Sequence, residues 1–125
     1  MYTAYFYVDS GHGNAPVGEY LARLKRSVRA RCAALIALFE EKGRLPFPYA
    51  SHLKGPIWEL RIREERNHHR ILYAIIEGER IILLTAFTKH TLRTPIKEIT
   101  KAENAIYDYH LHQKLKPFSV EINPP

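Results

Sequence analysis

The chain has 125 residues, of which 46% are hydrophobic and 26% charged, ordinary globular usage that excludes wholesale disorder. Lys and Arg number 19 against 13 Asp and Glu, a net charge of +6, and a domain this basic favours an anionic partner: nucleic acid, an acidic protein or a membrane surface. The single cysteine excludes an intrachain disulfide and a zinc–thiolate framework, and no apolar run approaches the roughly 18 residues that span a bilayer.

Residues 5–8, Tyr-Phe-Tyr-Val, are aromatic and β-branched and predict a first strand. A turn-rich loop, residues 9–14, follows, with Asn14 and Pro16 as a helix start. Val17, Leu21, Leu24, Val28, Cys32, Leu35 and Phe39 recur at spacings of three and four, one face of a helix, so Cys32 reads as a core thiol. Unbroken from 15 to 42, that helix would be about 42 Å long. A 125-residue globule is only roughly 26–28 Å wide. A helical hairpin broken at Lys25-Arg26-Ser27 is therefore expected, with Ser27 capping the second helix and Gly43 ending it. Pro46, Pro48 and Gly55 make residues 44–55 a connecting loop, which carries His52 and Lys54.

Three strands come next, at 57–63, 70–76 and 80–88. Trp58, Leu60 and Ile62 alternate with Glu59, Arg61 and Arg63, giving one apolar and one charged face. The other two runs are apolar on both faces, as central strands under helices would be. Residues 64–69 and the tight turn Glu77-Gly78-Glu79 are short enough to demand antiparallel hairpins. Thr94-Pro95 starts a last helix, with Ile96, Ile99, Ala102, Ile106 and Tyr109 as its buried stripe. The tail, 116–125, is either loose or an edge strand over 118–122. One α+β domain, 1–125, with helices packed on a sheet is the expected architecture.

If the first hairpin loop spans Glu64 to Asn67, Arg61 faces Arg70 about 5 Å away on one face. Like charges so placed call for an anion, and guanidinium forks fit phosphate. The alternative is local pairing with Glu59, Glu64 or Glu65. Lys89 offers a compact cation at the end of the third strand. His90 beside it can exchange a proton near neutrality, unless both simply sit in solvent. Lys54, Arg63 and Arg93 are further candidates for binding RNA phosphates. His52, His68 and His69 complete the list of histidines near these cations; a metal site is poorly supported, because adjacent His68 and His69 point oppositely in a strand. Tyr107 and His110 are more distant candidates for a proton donor.

Leu53…Gly55-x-x-Trp58-Glu59-Leu60-Arg61, then Arg70-Ile71-Leu72-Tyr73, then Leu83-Leu84-x-x-Phe87-x-Lys89-His90-x-x-x-Thr94-Pro95, then Glu98-Ile99-x-x-Ala102, resembles the phage-associated, HigB-like branch of the RelE/ParE toxin superfamily. The resemblance implies a RelE-like fold: an N-terminal strand and helical hairpin on a small, mainly antiparallel sheet, with a C-terminal helix. It implies a toxin of a type II toxin–antitoxin system, a ribosome-dependent mRNA interferase needing no cofactor or metal. Its partners would be mRNA, the ribosome and a HigA-like helix-turn-helix antitoxin. By position, Arg61, Arg70 and Lys89 are then the functional cations and Glu59 a supporting group. His90 stands where many relatives carry a second Lys. ParE-like relatives act on DNA gyrase instead, and a non-catalytic basic binding domain is the third reading. With no basic segment preceding an apolar run at the N-terminus, no secretory signal is expected, and a cytoplasmic location suits the free thiol.

Overall fold

In the computed structural model, which describes residues 1–121, the chain runs β1 (Thr3–Tyr7), α1 (Pro16–Ala22), α2 (Arg26–Lys42), β2 (Ala50–Lys54), β3 (Ile57–Glu64), β4 (Asn67–Ile76), β5 (Arg80–Thr88), α3 (Ile96–His112) and β6 (Leu115–Pro117). The strands make one sheet in the order β2-β3-β4-β5-β1-β6. All pairings are antiparallel except that of β1 with β5. The architecture is α+β and consistent with a RelE-like fold.

The central strands are apolar on both faces because both faces are covered. Leu60, Ile62, Ile71, Tyr73, Ile81 and Leu83 point into a core with Val17 and Leu21 of α1 and Val28, Cys32, Ile36 and Phe39 of α2. The Phe39 ring meets Tyr73 edge-on, centroids 5.1 Å apart. Ile57, Leu72, Ile82, Leu84 and Phe87 point the other way, against Ala102, Ala105 and Tyr109 of α3. Each large side chain so buried contributes about 1.5–3 kcal/mol. Cys32 is a buried core thiol whose pKa burial pushes up to about 12.

The helical hairpin breaks at residues 23–25, just before the expected position. Gly43 ends α2 in the left-handed region, φ 76°, its N–H donating to the Phe39 carbonyl at 2.7 Å. Ser27 does not cap α2, and neither Asn14 nor Thr94, at the other two expected helix starts, caps its helix. The Asn14 amide donates to Glu19 at 3.4 Å, Ser27 donates to Glu64 on β3, and Thr94 donates to Glu59.

Three further expectations change. Residues 44–55 are not all loop, because Ala50–Lys54 pairs with β3 once the prolines are passed. Ile96 is 81% exposed and leaves the expected stripe of α3; Ala102 and Tyr109 are buried as expected, Ile99 and Ile106 pack partly buried beside them, and Glu98 and Ala105 are buried as well. The edge strand of the tail lies at Leu115–Pro117, before the expected 118–122, and Ile122 falls outside the described residues. Among the described residues no helix is long and apolar enough to cross a membrane.

The loop between β1 and α1 is fastened to α3 by Asp108. Its carboxylate accepts hydrogen bonds from the Tyr7 hydroxyl at 2.6 Å and from the Ser10 N–H at 3.0 Å, and also from the Ser10 hydroxyl.

Candidate active site

The site begins with the register of β3 and β4. Only Glu65 and Arg66 lie between the strands, and Glu65 takes φ 53° to close the turn. Pairing then runs without a bulge from Glu64–Asn67 to Trp58–Tyr73, and Arg61 faces Arg70 as expected. β5 continues the rows: Phe87 pairs with Arg70, and the Lys89 N–H donates to the His68 carbonyl at 2.7 Å. Side chains alternate along strands. Two rows therefore share the α3 side of the sheet: Arg61–Arg70–Phe87, and beyond it Arg63–His68–Lys89. Neighbouring strands lie about 4.8 Å apart, so these groups are crowded.

Glu59 anchors the cluster. It is fully buried, and its Oε2 accepts from Arg61 Nε at 3.0 Å and faces Arg70 Nε at 3.5 Å. Thr94, from the turn before α3, donates its hydroxyl to the other carboxylate oxygen. Arg70 also donates to the His69 carbonyl at 3.3 Å, while its Nε has no hydrogen-bond partner. The Arg61 guanidinium lies over the exposed Phe47 ring, 5.4 Å from its centroid. Glu59 thus grips both guanidinium groups by their inner edges. The terminal nitrogens of Arg61 make no hydrogen bond among the described residues.

Cations outnumber carboxylates here, and burial leads the pKa shifts, with the mutual repulsion of the cations behind it. Burial lowers Arg70, the nearby Arg61 adds to the effect, and Glu59 opposes it. Burial likewise lowers Lys89, with Arg70 and Arg61 contributing and Glu59 again opposing. His68 is held below 6.5 by desolvation, then by the charges of Arg63, Arg70 and Lys89. A phosphate would relieve this repulsion.

The other candidates distribute as follows. Arg63 is exposed at the end of the outer row, with Arg31 of α2 donating to its carbonyl. His90 and Arg93 are exposed in the loop between β5 and α3, adjoining Lys89. Lys54 does not join the cluster. It pairs with Glu103 of α3 at 3.0 Å, beside Ile57 at the far end of β3. Tyr107 and His110 are also remote, because the adjacent Tyr109 hydroxyl accepts from Arg80 at 3.0 Å at the opposite end of β5. His52 contacts the Gly55 carbonyl at 2.7 Å. His69 points to the opposite face, with Nδ1 2.7 Å from the Tyr20 hydroxyl.

A cleft of about 690 Å³ adjoins the cluster where β2 stops pairing with β3. It is lined by Arg31, Leu35, Leu38 and Tyr49 together with Arg61, Arg63, His68 and Arg70. Tyr49 and Phe47 were missed as site neighbours because Pro46 and Pro48 marked their segment only as irregular.

A family model described as Phage derived protein Gp49-like (DUF891) matches residues 19–106. The chain belongs to this Gp49-like family. It is a RelE/HigB-like toxin family of toxin–antitoxin systems, and membership implies an antitoxin partner. The Gp49-like match spans β2 to β5 and every residue of the cationic face. No curated protein matches the chain.

Proposed function

We propose that this Gp49-like protein is the toxin of a type II system that cleaves mRNA on the ribosome and stops translation, restrained by a helix-turn-helix antitoxin. The observation that carries this reading is the gathering of Arg61, Arg70 and Lys89 on one face around a buried carboxylate. The reaction is attack by a ribose 2′ oxygen on its own phosphate with loss of the 5′ oxygen. Charge grows on the non-bridging oxygens, where preorganised donors act most strongly. Arg61 and Arg70 supply paired N–H groups, held in place by Glu59, and Lys89 supplies a point charge. Arg63 and Arg93 hold flanking phosphates. His90, exposed beside Lys89, serves one of the two proton transfers the reaction needs.

Inducible expression in bacteria, with growth and full-length reporter mRNA followed together, tests the reading. The parent chain arrests growth and cuts mRNA. Arg61→Ala, Arg70→Ala and Lys89→Ala each slow cleavage about 10²–10³-fold. Full toxicity in all three variants overturns the site. Arrest with intact mRNA and a DNA-damage response overturns the ribonuclease reading in favour of a gyrase-directed toxin.

A further inference from the structure

Among the groups on the cationic face, the arginines are donors with no free lone pair, and Lys89 must first give up its own proton before it can take the 2′ proton. Glu59 could in principle, but it is fully buried and already faces Arg61, Arg70 and Thr94. His68 remains. It is half-buried in the middle strand, with Arg63 beside it on β3, Lys89 beside it at the end of β5, and Arg70 two residues on. It lines the cleft, with Arg31 of α2 and Arg61 as the other cations there. Resting on the ribonuclease reading above, we infer that His68 is the general base that removes the ribose 2′ proton.

A phosphate gripped by these cations lies within a side chain's reach of the imidazole. The 2′ oxygen bonds to phosphorus as its proton passes to a ring nitrogen of His68. The P–O5′ bond breaks, and its electron pair leaves with the 5′ oxygen, which takes a proton from His90. The products are a 2′,3′-cyclic phosphate and a 5′ hydroxyl. Desolvation, and then the surrounding cations, favour the neutral ring, the form a base requires.

Single-turnover cleavage of a short mRNA by the purified protein with ribosomes, from pH 5 to pH 8, tests the assignment. His68→Ala and the hydrogen-bonding His68→Gln each lower the rate about 10²–10⁴-fold. Both retain the parent's circular dichroism and its affinity for ribosome-bound mRNA carrying a 2′-deoxyribose at the cleavage position. The parent rate falls on the acid side, below pH 6.5, and the variants lose that limb. His110→Ala, at the far end of α3, cleaves like the parent. A rate within about threefold of the parent in either variant, with the acid limb kept, overturns the assignment. So does a loss of affinity equal to the loss of rate, which makes His68 a binding residue. No cleavage by the parent chain overturns the ribonuclease reading itself and this inference with it.

Discussion

A buried carboxylate is costly unless it is fully paired, and Glu59 meets that condition with two arginines and a threonine. Glu59→Ala leaves Arg70, 8% exposed, without its counter-charge. Breaking a buried pair of this kind costs about 3–5 kcal/mol. Chemical denaturation of the variant checks this, and a loss below about 1 kcal/mol would show that Glu59 is not the anchor. The opposition of Arg61 and Arg70 was legible in the sequence, because a short hairpin fixes register. The burial of Glu59 was not. Alternation assigns a residue to a face of its strand, and only the docking of α3 decides how far along that face water is excluded. Thr94 shows the same gap: its spacing before Pro95 marks a helix cap, but a buried carboxylate competes better for its hydroxyl.

At the scale of elements, Asp108 joins the β1–α1 loop to the end of α3. Hydrogen bonds from Ser10 and Tyr7 hold its carboxyl well below its ordinary value of 3.8. A depressed folded pKa means that the unfolded chain binds more protons as pH falls. The contribution is therefore complete above about pH 5 and is lost as pH drops through and below the unfolded value. Asp108→Asn should melt lower than the parent at pH 7, and the difference should shrink towards pH 3. An undiminished difference at pH 3 would remove the charge from the account. The order and kind of the long elements were readable, since their periodicities are local. The edge strand β2 was missed because Ala50–Lys54 is short and polar and follows two prolines. It is a strand because β3 offers it a free edge.

For the molecule as a whole, the charge of +6 matters most where it concentrates beside the cleft. Binding of single-stranded RNA should weaken linearly in log salt, by about 0.7 per phosphate neutralised. Arg63→Ala, an exposed change, should reduce that slope by about 0.7. Filter binding between low and physiological salt measures it, and an unchanged slope would place Arg63 off the RNA path. By itself the sequence determined the order of the long elements, the pairing of β3 with β4 and the two apolar faces of the central strands, because residue spacing and short turns act over a few positions. Tertiary structure alone decided that β1 joins β5 in parallel, that Thr94 reaches Glu59, that Lys54 turns away to Glu103 and that His68 lies between Arg63 and Lys89. Those outcomes depend on which surfaces meet, and segments far apart in the chain compete for the same edge, carboxylate and buried space.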